Sequence, residues 1–169
     1  MISSNLFLNQ PYIKKLPERL IYQQGDRFIM FSTKTKKTLG RMIVKEEHYG
    51  KLKNEDYEFY PKKENYTALY IVGLLANIKK QGIGKAFVNL AKKLAHNERC
   101  QDRVTVLAMN NQENNILNAS SPFFRKLGFS STEKPGLSDV DRVLRGEKPK
   151  NGDWYCCLPM YLPLKKATK

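Results

Sequence analysis

The chain has little of what marks a secreted, metal-binding or membrane-spanning protein. Its 169 residues include three cysteines and two histidines. Cys156 and Cys157 are adjacent and Cys100 stands apart, so no CxxC pair exists, and His48 and His96 complete no ligand set. A zinc site is therefore not expected, and the thiols are read as small buried hydrophobes. No run approaches the roughly 20 apolar residues of a membrane span. Residues 1–10 mix Ser3, Ser4, Asn5 and Asn9 among apolar residues, without the basic start and apolar block of a signal peptide. The expectation is a soluble cytoplasmic protein with no membrane partner.

Acidic residues are scarce as well. Thirty Lys and Arg against sixteen Asp and Glu give a formal net charge of +14. Such a field attracts polyanions: nucleic acid, an acidic protein surface or a phosphate-rich cofactor. The lysines are scattered in pairs, at 14–15, 36–37, 62–63, 92–93 and 165–166, rather than gathered in one stripe. Charge by itself names no partner.

The length suits one domain spanning residues 1–169, and 41% hydrophobic residues suit a folded core. There is no internal repeat and no low-complexity linker. Residues 27–31 and 38–44 read as two strands joined by a polar turn at 32–37. Residues 66–76 form a nearly unbroken apolar run, the pattern of a strand buried on both faces. A glycine-bearing turn follows, then a helical stripe of Phe87, Leu90, Ala91 and Leu94. Residues 104–109 are a second buried strand, which makes 68–109 a βαβ unit. Beyond Met109 the pattern gives an Asn-rich turn, then a helix capped by Ser121 with Pro122 at its first position, stopped by Gly128. Residues 130–152 look like a polar loop excursion, and strand character returns at 154–164.

A strand running into a glycine turn that opens a helix is an anion site in outline. The first N–H groups of the helix lack internal partners, and the helix dipole adds positive potential. Gly82 and Gly84 carry no β-carbon, so a pyrophosphate can approach the backbone, and Lys79, Lys80 and Lys85 add charge. Two nucleotide folds are excluded. A P-loop needs Ser or Thr after the Gly-Lys pair, and Gly84-Lys85 is followed by Ala86. A dinucleotide fold needs a third glycine where Phe87 stands, and an acidic residue where the next strand ends in Ala108-Met109.

Lys79-Lys-Gln-Gly-Ile-Gly84 after a buried strand resembles the acyl-CoA loop of the GNAT superfamily of N-acyltransferases, Gln/Arg-x-x-Gly-x-Gly/Ala. Phe123-Phe-Arg-Lys-Leu-Gly-Phe129 resembles that family's second landmark, Tyr-x-x-x-Gly-Phe, at similar spacing. The likeness runs from about Arg27 to Phe129. It implies an α+β fold in three layers: a mixed, mostly antiparallel sheet with a βαβ cofactor-binding unit and helices on both faces. It implies acetyl-CoA or another acyl-CoA as co-substrate and no metal. Leu74, Leu75 and Ala76 match the splayed strand end that meets the pantetheine arm. Gln81, Gly82, Ile83, Gly84, Lys85 and Ala86 match the pyrophosphate turn. Asn115 or Asn118 falls near the family's cofactor-contacting Asn.

The chain departs from the pattern at two positions. Lys79 stands where Arg or Gln is usual and lacks the planar fork of Arg. Phe124 stands beside the expected thioester, where many members carry the Tyr that protonates the departing thiolate. Tyr155, Tyr161 or a water are the substitutes. For the general base, Tyr70 on the strand and Glu64 before it are the candidates. The implied function is transfer of an acetyl group to a primary amine, with a protein or aminoacyl-tRNA acceptor suited to the positive charge. The alternative is a GNAT-like binding module with weak or no catalysis that recognises nucleic acid or an acidic partner.

Overall fold

The computed structural model describes residues 13–50, 60, 65–113, 116–132, 138–148 and 157–165. Its first half is a meander whose alternating side chains separate two faces. Strands β1 (Ile13–Leu16), β2 (Arg19–Gln24), β3 (Arg27–Ser32) and β4 (Thr38–Tyr49) pair in chain order, all antiparallel. Ile21, Phe28, Met30 and Met42 fall on one face and are fully buried. The turn between β3 and β4 lies where the polar segment 32–37 placed it. The first two strands carry short, mixed sequences and were not foreseen.

β4 pairs antiparallel with β5 (Tyr66–Ala76), and helix α1 (Ile83–Ala95) then crosses to β6 (Val104–Glu113). β5 and β6 run parallel, which confirms the βαβ unit. Of the stripe, Phe87, Leu90 and Ala91 are buried and Leu94 half-buried in the main core, with Ile83 buried ahead of them. Removing each of the larger side chains from water stabilises the fold by roughly 1.5–3 kcal/mol. A second, smaller core on the opposite face is aromatic. Tyr49 stacks on Tyr66 at 5.2 Å, and Tyr60 meets the edges of Tyr66 and Tyr161.

Three expectations for the second half are corrected. The chain after Met109 does not turn at once: β6 continues to Glu113 and pairs antiparallel with β7 (Ile116–Ala119). Helix α2 (Ser121–Lys126) has Ser120, not Ser121, at its N-cap. Both hydroxyls are committed elsewhere: Ser120 Oγ donates to the Met109 carbonyl at 2.8 Å, and Ser121 Oγ to Asn110 Oδ1 at 2.6 Å. The cap thus comes from the end of β6 rather than from a local serine. The excursion at 130–152 holds β8 (Ser130–Ser131) and α3 (Ser138–Leu144), whose Val140 is buried in the main core. Gly128, at φ +95°, ends the preceding helix as foreseen.

β9 (Cys157–Tyr161) completes the sheet by pairing with β6 and β8. The order is β1-β2-β3-β4-β5-β6-β9-β8, with β7 beside β6. The result is a mixed, mostly antiparallel sheet with one parallel pair at its centre. Cys100 is buried, as expected of a structural thiol; Cys157 is half-buried, and Cys156 lies outside the described residues. Among the described residues no helix is long and apolar enough to cross a membrane.

Candidate functional site

The site begins where the parallel pair comes apart. β5 and β6 are joined at three positions, Leu69–Val104, Tyr70–Thr105 and Ile71–Val106. Beyond Ile71 a bulge interrupts the β4–β5 register, leaving Val72 without a partner on β4. β6 keeps β9 along Thr105 to Met109 and pairs with β7 from Asn110 onward, but has no partner on β5 after Val106. The edge of β5 from Val72 to Leu74 therefore lines an opening rather than a neighbour strand. This corrects the reading of 66–76 as buried on both faces. Ala68, Leu69 and Ile71 are buried, whereas Val72 and Leu75 are each 47% exposed.

The opening is a cavity of about 190 Å³ lined by Val72, Gly73 and Leu74 on one side and Val106, Leu107 and Met109 on the other. Ser120, Phe123 and Phe124 close its end. Among the described residues the walls are apolar apart from Ser120 and include no carboxylate. Phe124 is buried and packs edge-on against Phe123 and Phe129, with ring centroids 5.1 and 5.3 Å away. No hydroxyl stands at that position.

The glycine turn sits at the end of β5, and its two glycines do different jobs. Gly82 is the N-cap of α1 with φ +73°, and a β-carbon there would meet nothing within 4 Å. It supplies a left-handed turn and an open approach to the helix N-terminus. Gly84 instead admits the ring of Phe123, whose Cζ would stand 2.8 Å from a β-carbon. Close approach of a phosphate was expected at both; the structure keeps one for the ligand side and one for packing.

Charge gathers around this turn. Lys79, Lys80, Gln81 and Lys85 are exposed, and no acidic residue stands in the first turn of α1. Arg19, on β2, reaches the turn and donates from Nη1 to the Gln81 carbonyl at 2.8 Å. Asn77 fixes the start of the loop by donating to the carbonyls of Thr38 and Leu39. Arg19 lies outside the segment that resembles a known motif, and its partner is 62 residues away. No local sequence signal identifies it.

The remaining candidates are spread out. Leu74 lines the cavity; Leu75 and Ala76 continue β5 beyond it. Ile83 is buried and Ala86 half-buried in the first turns of α1, whose Ala86 N–H closes on the Gly82 carbonyl. Tyr70 is on β5 outside the cavity lining, with the Lys45 ammonium 5.4 Å from its ring centroid. Burial raises its pKa, and the Lys45 charge opposes that shift. Asn118 pairs with Asn111 in the β6–β7 ladder. Glu64, Asn115 and Tyr155 lie outside the described residues. Tyr161 sits in the aromatic core. The buried asparagine that does organise the cleft is Asn110, which accepts hydrogen bonds from Ser121 and so anchors α2 at the cavity's end.

No protein-family model matches the chain, and no curated protein matches it. Solved structures do. One described as a bacterial toxin aligns over 84% of this chain and 66% of its own, with 13% identity and a TM-score of 0.50. The Bacillus subtilis N-acetyltransferase YlbP in complex with coenzyme A aligns over 82% and 68%, with 13% identity and a TM-score of 0.46. A Corynebacterium glutamicum protein described as histone acetyltransferase HPA2 and related acetyltransferase aligns over 88% and 67%, with 14% identity and a TM-score of 0.45. The chain thus spans about two thirds of the length of each of these proteins. The match at a TM-score of 0.50 shows a shared fold. The mixed sheet, the splayed parallel pair and the α1 crossover agree with the arrangement that the sequence resemblance implies. The glycine turn and the apolar cleft both lie beyond the paired part of β5.

Proposed function

We propose that the chain is an acyl-CoA-dependent N-acyltransferase acting on a primary amine. One observation carries the reading: an apolar cleft between β5 and β6 opens beside an uncapped, cation-ringed helix N-terminus. These are the two halves that an acyl-CoA presents, a neutral pantetheine thioester and a pyrophosphate. The residues fit. The N–H groups at the start of α1, with Arg19, Lys79, Lys80 and Lys85 around them, would hold the pyrophosphate. The edge of β5 from Val72 to Ala76 would hydrogen-bond the pantetheine amides, and Leu74, Phe123 and Phe124 would wall the thioester from water.

An acyl-CoA arrives activated, so the protein's task is placement. Holding an amine against the thioester carbonyl removes most of the entropic barrier. A β5 N–H near Leu74 is suited to the carbonyl oxygen as negative charge develops, a contribution of roughly 2.7–4 kcal/mol where such donors have been removed. Among the described residues of the cleft wall none supplies an acid to the leaving thiolate, because Phe124 has no proton to give. As the C–N bond forms and the C–S bond breaks, the thiolate leaves and the proton lost by the amine passes to it or to water.

Calorimetric titration of the purified chain with acetyl-CoA tests binding, and release of free thiol with candidate amines tests transfer. Absence of binding would end this reading. The bare phenyl ring of Phe124 favours the second reading, a GNAT-like module that binds acyl-CoA or a partner without turnover. Binding without thiol release across protein and aminoacyl-tRNA acceptors would select it.

A further inference from the structure

The two faces of the meander differ in kind. One belongs to the main core that α1 joins, with Ile21, Phe28, Met30 and Met42 fully buried. The opposite face of β2–β5 carries half-buried aromatic and aliphatic side chains with exposed cations between them. The ladder sets Tyr22, Ile29, Arg41 and Leu75 side by side in one cross-strand row. Phe31 lies in the neighbouring row on one side and Arg27 in the row on the other. Tyr70 and Lys45 form a further pair toward the sheet centre.

We propose that this face is a binding platform for single-stranded nucleic acid. Adjacent strands stand about 4.7–4.9 Å apart, so Tyr22, Phe31 and Tyr70 offer flat apolar surface over several strands. Unpaired bases have π-faces that stack on such rings, and their phosphates need nearby cations. Lys15, Arg27 and Arg41 are exposed and have no ion-pair partner among the described residues. Arginine is the cation suited to both tasks, since its plane stacks and its fork binds phosphate. The one carboxylate on this face of β2–β5, that of Glu47, is engaged by Lys45 at 2.6 Å. An acidic protein would match the charge but would leave Tyr22, Phe31 and Tyr70 without a stacking partner. A duplex would offer phosphates and hide its bases. The net charge of +14 favours any polyanion; the three aromatic side chains favour one with exposed bases.

The central row ends on Leu75, near Val72 and the 56%-exposed Met109 at the mouth of the cleft. A strand lying along it would bring its end, and an amine carried there, to the cleft. That last link rests on the acyl-transfer reading; the platform does not.

The test is fluorescence anisotropy of the full chain with labelled oligouridine, with the same length as duplex, and with polyglutamate as competitor, each across a range of potassium chloride. The single strand should bind more tightly than the duplex, with affinity falling linearly on a log–log salt plot. The pair Arg27→Glu and Arg41→Glu should weaken it by about tenfold and flatten the salt slope. The pair Lys93→Glu and Lys165→Glu, with the same charge change elsewhere, should alter it by no more than about twofold. Equal weakening by both pairs overturns the proposal, as does equal duplex affinity or full displacement by polyglutamate, which would mark an acidic protein partner. Ultraviolet cross-linking of the unaltered chain needs no folded variant. Cross-links on the peptides holding Tyr22 and Phe31 support the platform; cross-links confined elsewhere overturn it. Failure of acetyl-CoA to bind would remove the transferase reading and leave this result standing.

Discussion

Phe123 fills the space that a side chain at Gly84 would need, with its Cζ 2.8 Å from where a β-carbon would stand. The first turn of α1 is thereby locked to α2, which closes the cleft. Gly84→Ala should force the ring or the helix to move, at a cost of about 1–3 kcal/mol, the usual range for overpacking. Gly82→Ala meets open space and pays only for its φ of +73°, about 1–2 kcal/mol. Thermal melting of the two variants checks the ranking. Titration with acetyl-CoA should show Gly84→Ala weakening binding by distorting both cleft and turn.

Arg19 ties β2 to the turn through the Gln81 carbonyl. Arg19→Ala should weaken acetyl-CoA binding several-fold, because a charge and a loop anchor are lost together. Arg19→Lys should restore the charge without the fork and recover only part of it. Titrations at low and high salt check this: the loss in Arg19→Ala should shrink as salt rises, whereas a purely structural anchor would give the same loss at both.

The parts of this molecule that could be read beforehand are those whose signals are local. The run 66–76, the glycine turn and the stripe from Phe87 to Leu94 each lie in one short window, and together they gave the βαβ unit. The two short strands before Arg27 have no long periodicity. β2 is fixed by pairing with β3, as when Ile21 lies opposite Met30, and β1 in turn by pairing with β2. The hairpin of β6 and β7 was hidden because asparagines favour turns in isolation; here Asn110 and Asn111 are ladder residues. Arg19 and Asn110 act on Gln81 and Ser121, partners brought near only by the closed sheet. The different duties of Gly82 and Gly84 likewise depend on Phe123, which the sequence places far downstream.

Alkaline pH should unfold the chain through groups buried neutral. Burial raises the Tyr60 hydroxyl well above its ordinary 10.0. It donates to the Leu162 carbonyl at 2.8 Å and accepts from the Val104 N–H at 3.1 Å. Burial likewise pushes the Cys100 thiol from 9.0 up to about 11, with Glu46 adding repulsion. Both folded-state values exceed the unfolded ones, so the folded chain holds its protons more tightly. Their stabilisation is complete below pH 9 and is lost as pH rises, for Cys100 between 9.0 and about 11. Denaturation midpoints measured across this range should fall. Tyr60→Phe should cost about 1–3 kcal/mol at neutral pH, by leaving Val104 and Leu162 without that partner. It should also shallow the alkaline decline.

Phe124 offers the sharpest test of catalysis. Its ring lines the cleft, and the motif that residues 123–129 resemble carries a tyrosine at this position. Phe124→Tyr adds one oxygen to a wall in contact with Phe123 and Phe129. If transfer is limited by departure of an unprotonated thiolate, the new hydroxyl supplies the missing acid. Turnover should then rise by about tenfold or more, toward the lower end of what a positioned acid contributes. KM for acetyl-CoA should change little, since the pyrophosphate turn and the β5 edge are untouched. Thiol release measured with one amine acceptor across pH reads the result, and a new acid should also add a descending limb at high pH. Unchanged turnover with unchanged binding would show that thiolate departure does not limit the reaction. No turnover in either chain would favour the binding module.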